Sequence, residues 1–214
     1  MDVLRQFLAF CVLPLLAGVA QAADPRDTQP GVPSATVRGV TVTARRPMAE
    51  LVVQARKVCF LPPQDGESPT APQVVDIYPR PGAIVPSGLV FVRITFDQPM
   101  SRCSYSVTTL PKLPFPDQLK TRPRVTADLK TFLLPAWTQP NQDYLLTVNG
   151  PPFVFFKNIF GQAAKSHPVL FKTSEAVARS EQEAASGDPQ LGVLLAKADA
   201  PLIDLPAPTV GKSP

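Results

Sequence analysis

Hydrophobic and polar residues alternate along the middle of the chain. Over residues 89–96, Val90, Val92, Ile94 and Phe96 fall on one face of an extended segment, with Arg93, Thr95 and Asp97 opposite. Successive side chains of a strand point to opposite faces, so this alternation predicts a half-buried strand. Runs rich in β-branched and aromatic residues at 74–78, 105–109, 131–134, 144–148, 153–156 and 169–173 predict six more. Turn formers separate them: Arg80-Pro81-Gly82, Asp97-Gln98-Pro99, Asp128, Pro140-Asn141, Asn149-Gly150 and the stretch from Asn158 to Gly161. Short strands at this spacing point to an all-β fold, a single β-sandwich of about seven strands with Greek-key connections.

The helical period appears only in the flanks. After Pro47, which suits a first helical turn, Met48, Leu51, Val52, Ala55 and Val58 recur at three- and four-residue steps. That predicts a short amphipathic helix over 48–58 whose apolar stripe rests on the sandwich. Residues 174–185 are rich in alanine and glutamate, and Asp188-Pro189 opens a second helical pattern running to Lys197.

Composition sharpens this division. The chain has 27 prolines among 214 residues, and each proline inside a helix costs about 3 kcal/mol, which excludes a mostly helical protein. Of the 16 aromatic residues, 13 lie within 74–173, so the apolar groups that stabilise a core are concentrated there. The segment 23–72 holds eight prolines and only Phe60 as an aromatic, and 174–214 has no aromatic. Both flanks read as flexible, proline-rich linkers with short helices. The organisation expected is 1–22 as a leader, 23–72 as linker with its helix, 73–174 as the sandwich and 175–214 as a helical or disordered tail.

The leader has the pattern of a cleaved export signal. Arg5 precedes an uncharged apolar run over 7–19, and Ala20-Gln21-Ala22 supplies small residues for cleavage before Ala23. About 13 apolar residues are too few to span a bilayer, which needs about 20. Cys11 sits in mid-run behind Phe10, a poor setting for lipid attachment. The expected location is periplasmic or secreted, in a Gram-negative-type cell envelope, with no membrane-spanning segment. Removal of the leader leaves Cys59 and Cys103, and an even pair in an oxidising compartment is a disulfide candidate.

The ordered motifs of the domain resemble the bacterial Ig-like domain of S-layer and other surface proteins. Tyr78-Pro79-Arg80-Pro81-Gly82-Ala83, Val85-Pro86, and a strand ending Thr95-Phe96-Asp97-Gln98-Pro99-Met100 look like that family's opening. Asp128-Leu129-Lys130-Thr131, the stretch from Asn141 to Val148 and the closing run 169–173 match its later hairpin and strands, with Asn141 and Gln142 departing from its usual Gly-Thr. The resemblance covers about 100 residues and implies an Ig-like sandwich acting as a structural, adhesive or spacer module. Its motif residues read as fold devices: Gly82 in a turn, Pro99 ending a strand, Met100 as a core plug and Tyr144 as a tyrosine corner.

Candidate chemistry is sparse. No Gly-x-Ser-x-Gly elbow, phosphate loop or His-Glu-x-x-His occurs. The single histidine, His167, precedes Pro168 at a strand start. The domain's five acids, Asp76, Asp97, Asp117, Asp128 and Asp143, are scattered among turns and strand ends. A non-enzymatic protein without cofactor or metal is expected, a hydrolytic or carbohydrate-active enzyme being the rival class. Copper-carrier sandwiches share a similar opening, but their histidine and methionine clusters are missing.

Charge suggests partners. Residues 74–173 hold eleven Lys or Arg against five Asp and no Glu. Lys120, Arg122, Arg124 and Lys130 gather around one hairpin, where they suit an anionic envelope surface or form a solvated strand face. No aromatic interleaves them as nucleic-acid binding prefers. Finally, the stretch from Val37 to Pro47 resembles the segment through which outer-membrane transporters add a strand to TonB. Val40, Thr41, Val42 and Thr43 supply the extended β-branched run that strand addition needs, although no barrel follows. A soluble accessory of a TonB-linked system is therefore a second expectation.

Overall fold

The computed structural model describes residues 34–37, 40–43, 47–62, 70–110, 113–118, 122–196 and 202–205. The leader 1–22, Ala23 and Lys120 lie outside these described residues. In chain order the elements are β1 Ser34–Val37, β2 Val40–Thr43, α1 Met48–Ala55, β3 Val74–Tyr78, β4 Ile84–Phe96, β5 Val107–Thr108, β6 Asp117–Gln118 and β7 Arg124–Val125. There follow β8 Thr131–Thr138, β9 Asp143–Val148, β10 His167–Ala178, α2 Glu181–Ala185, α3 Pro189–Ala196 and β11 Ile203–Asp204. Strands β1 and β2 make a two-stranded sheet of their own. The rest form one mixed sheet in the order β11-β7-β8-β4-β10-β9-β5, with β3 also on β4 and β6 also on β8.

The sheet curls because β4 serves two neighbours in succession. Its first residues run parallel to β10, from Ile84 beside Lys172 to Gly88 beside Ala178. From Gly88 onward it runs antiparallel to β8, as far as Thr95 beside Thr131. Gly88 makes the changeover possible. Its φ is +81°, and a Cβ there would lie 2.4 Å from the Ala178 carbonyl oxygen, so only glycine fits. The inward side chains of both halves then share one core, including Ile77, Val92, Ile94, Val107, Leu146 and Phe171. At its centre the Phe156 ring stands edge-on to Phe132 at 5.1 Å and tilted against Phe96 at 5.2 Å.

Several strand expectations change. The run 131–134 continues to Thr138 through Pro135. On one side of β8, Val125 of β7 pairs with Phe132 and Gln118 of β6 with Ala136, so Pro135 falls between two short partners and its missing N–H interrupts neither ladder. The run 105–109 contracts to β5. The run 153–156 is not a strand. Phe156 points into the core and Val154, two residues earlier, outward, so the two-residue period is broken, and side chains replace the ladder. Ser106 Oγ donates to the Phe153 carbonyl and accepts from the Phe155 N–H, and Ser104 Oγ donates to the Phe155 carbonyl.

The flanks pack more closely than their composition suggests. Leu51 and Ala55 of α1 enter the core, whereas Met48 and Val58, expected in the same stripe, are 54% and 46% exposed. The helix stops at Ala55, so Val58 lies beyond its last turn. Residues 174–178 extend β10 rather than opening a helix. Helices α2 and α3 cover the outer face of the sheet through Ala184, Ala185 and Leu191, which meet Phe91 and Leu133. Leu205 is buried beyond β11. The described part of the C-terminal stretch is thus a cap on the sheet.

Cys59 and Cys103 are bridged, with Cα atoms 5.4 Å apart and a sequence separation of 44. The Leu61 N–H donates to the Ile159 carbonyl at 2.7 Å beside the bridge, and Arg56 Nε donates to the Ala127 carbonyl at 2.9 Å. In the chain-entropy account, closing a loop of this length stabilises by roughly 4 kcal/mol as an upper figure. Cys103→Ser is expected to cost about 2–4 kcal/mol in urea unfolding of the oxidised parent against the variant. Equal midpoints would mean that the bridge constrains nothing.

Candidate functional site

Among the described residues the buried charges, Arg93 and Asp188, lie on the outer face of the sheet, under the C-terminal cap. Strand register lines up Arg124 of β7, Leu133 of β8, Arg93 of β4 and Tyr78 of β3 in one row. Arg93, expected to face solvent opposite Val92 and Ile94, is only 2% exposed. That face also carries Phe91 and Leu133, which are fully buried, and covering them with α2 and α3 buries the arginine too.

A buried guanidinium must be paired. Arg93 Nε donates to Asp188 Oδ2 at 2.6 Å and Nη2 to Asp188 Oδ1 at 3.3 Å. Nη1 donates to Asp76 Oδ2 at 2.8 Å. Burial alone works against the charge, but hydrogen bonds and attraction from Asp188 and Asp76 outweigh it and hold Arg93 above its ordinary range. Asp188 is 4% exposed, and its Oδ1 also accepts from the Gln190 N–H at the start of α3. The Tyr78 phenol is pushed above its ordinary range by burial first, then by the Asp188 carboxylate, with Arg93 opposing. A Cβ at Gly187 would come 2.4 Å from the Tyr78 hydroxyl, so the glycine allows this close approach.

A second, more exposed clamp stands along the row. Arg124 Nη2 reaches Glu181 Oε1 at 2.8 Å, and its guanidinium lies 5.5 Å from the centre of the Phe91 ring. Ser180 caps α2 by accepting from the Glu183 N–H, and Glu183 Oε2 accepts from the Arg179 N–H, a variant of the capping box. Both clamps join the sheet to the cap. Their chemistry is retention: every acid in them is occupied by a guanidinium. Glu181→Gln is expected to lower stability by under about 1 kcal/mol, because the pair is partly exposed; a thermal melt checks it.

The basic cluster does not present four free cations. Arg124 is engaged as above, and Lys130 Nζ donates to the Asp97 carbonyl at 3.2 Å. Arg122 is exposed, and Lys120 lies outside the described residues. Val40, Thr41, Val42 and Thr43 form β2, paired antiparallel with Ser34–Val37, so one edge of the expected docking strand is occupied. His167 opens β10 beside a shallow hollow also lined by Val75, Asp76 and Arg80.

The remaining expected fold devices are in place. The Gln139 N–H donates to the Tyr144 hydroxyl at 2.8 Å, Gly82 has φ +77°, and Met100 is fully buried. Asp128 Oδ1 accepts from the Thr126 hydroxyl and the Lys130 N–H, as a turn former does. Among the described residues no group of three or more His, Cys, Asp or Glu is placed to hold a metal, and no helix is long and apolar enough to cross a membrane.

Sequence reasoning missed the Arg93–Asp76–Asp188 cluster. A signal was present: in 89–96 Leu89 and Phe91 share the face of Arg93, so the arginine interrupts a run that is apolar on both faces. The chain matches no protein-family model, no curated protein and no solved structure.

Proposed function

We propose that this chain is an exported, non-enzymatic Ig-like module with a binding or structural role in a bacterial cell envelope. The observation that carries the reading is the Cys59–Cys103 bridge, a form of stabilisation that persists in oxidising compartments and not in the cytosol. It agrees with the export pattern of the leader. The Ig-like part draws support from strand order. β3 lies against β4, β4 against β8 and β10 against β9 and β5, while the first residues of β4 run parallel to β10. That is the arrangement in which a first strand crosses between the two layers of a sandwich. The tyrosine corner of Tyr144 supports it further. The buried charges serve retention of the cap rather than turnover.

Expression of the full chain in a Gram-negative host, followed by fractionation and intact-mass analysis, tests the reading. The expected product is periplasmic, begins at Ala23 and has no thiol that alkylates without reductant. A chain that stays cytosolic with both cysteines alkylated would falsify it.

A further inference from the structure

The segment 48–60 carries apolar side chains that the fold does not use. Among the described residues eleven large hydrophobic side chains are exposed, and four fall within these thirteen positions: Met48, Val53, Val58 and Phe60. The other side of α1 is already spent, with Leu51 and Ala55 in the core. The segment is held from three directions by the Cys59–Cys103 bridge, the Arg56 contact to the Ala127 carbonyl and the Leu61 contact to the Ile159 carbonyl. Its charge has one prevailing sign. Its charges are Arg56 and Lys57 against Glu50, with Arg45 and Arg46 preceding it in the sequence, and Lys57 is exposed next to Val58.

A short helix that runs into the cations Arg56 and Lys57 and leaves apolar groups exposed matches the chemistry of an anionic bilayer surface, where apolar side chains enter the acyl boundary and cations meet headgroups. We infer that segment 48–60 docks this protein, in the plane of the interface, onto a membrane rich in anionic phospholipid. Val53, Val58 and Phe60 are the inserting groups, and Lys57 lies at headgroup level. The bridge matters because it presents a pre-ordered surface, which lowers the ordering cost of binding. The inference rests on the export reading for its cellular setting, but its test does not.

The purified mature chain, with its disulfide verified by mass, is floated with phosphatidylcholine vesicles with or without about 30% phosphatidylglycerol. Flotation is expected with the anionic vesicles and not with phosphatidylcholine alone. Salt at about 1 M, where screening acts within about 3 Å, is expected to weaken it. The triple change Val53→Ser, Val58→Ser and Phe60→Ser is expected to abolish flotation while leaving the melting temperature near that of the parent, because these side chains are exposed. Hydrogen exchange on the parent, which needs no variant, is expected to show vesicle-induced protection confined to 48–60. The inference is overturned if the oxidised parent stays off anionic vesicles, if the triple variant floats like the parent, or if protection appears elsewhere. Loss of envelope-protein capture by the triple variant, with no lipid binding by the parent, also overturns it in favour of a protein groove.

Discussion

Asn149→Gly is expected to destabilise the protein by roughly 3–6 kcal/mol, a large part of the 5–15 kcal/mol typical of folded domains. Asn149 is 1% exposed and its amide is fully used. Nδ2 donates to the carbonyls of Phe156 at 2.8 Å and Ala164 at 2.9 Å. Oδ1 accepts from the Phe156 N–H at 2.8 Å and lies 2.9 Å from the Ser106 hydroxyl, whose single proton it shares with the Phe153 carbonyl. Its φ of +53° is one that glycine tolerates, so the substitution isolates the side chain. The groups left behind are buried, and an unsatisfied buried group costs about 1–3 kcal/mol. Urea unfolding checks the size, and a loss below about 1 kcal/mol would show that water replaces the amide.

Asn149→Asp adds a pH signature. A carboxylate can still accept from Phe156 and Ser106, but it faces two carbonyl oxygens where the amide donated. Ionisation is disfavoured there, so the folded-state pKa lies above the unfolded value of about 3.9. Such a group contributes most below the unfolded pKa, and that contribution is lost as pH rises through the folded pKa. The variant's deficit relative to the parent should therefore grow from about pH 4 upward. A pH-independent deficit would mean that the new carboxyl is solvated.

This network also shows why part of the fold was legible and part was not. The alternation in 89–96 marks the inward face correctly because those side chains bury against one core. At 153–156 the pattern fails, because Val154 and Phe156, which a strand would place on one face, are exposed and fully buried respectively. Periodicity reports which side is buried, and Ser104, Ser106 and Asn149 can satisfy an extended segment without a neighbouring strand. The Cys59–Cys103 pair was legible because, with Cys11 read as part of a leader, only one pairing was left. The Arg93 cluster was not, because Asp188 comes from an element 95 residues away that composition assigns to a tail. Alanine and leucine side chains suffice to cover a sheet face when two charge clamps hold the cap, so the absence of aromatics in 174–214 was a poor guide.

Asp188→Ala is expected to cost about 3–5 kcal/mol, because removing one partner leaves Arg93 buried with a charge that Asp76 alone must compensate. For a chain of this size each kcal/mol shifts the melting temperature by roughly 2–4 °C, which places the variant roughly 10 °C below the parent. Glu181→Gln, in the partly exposed clamp, supplies the contrast, since the same removal there leaves Arg124 open to water. Replacing the pair together, Arg93→Met with Asp188→Leu, is expected to recover most of the loss. Apolar groups of similar volume need no partner, and substituting a buried ion pair in this way is often neutral or stabilising. Asp76, at 30% exposure, can then be hydrated. Limited proteolysis locates the effect. In Asp188→Ala the first cuts should fall within the cap at 179–196, leaving the sheet intact, since Asp188 joins cap to sheet while the Arg93–Asp76 pair between β4 and β3 stays in place. If Asp188→Ala melts like Glu181→Gln, or if the double variant is worse than the single one, then Arg93 is not an internal charge that needs its partners, and the cap is held by its apolar contacts alone.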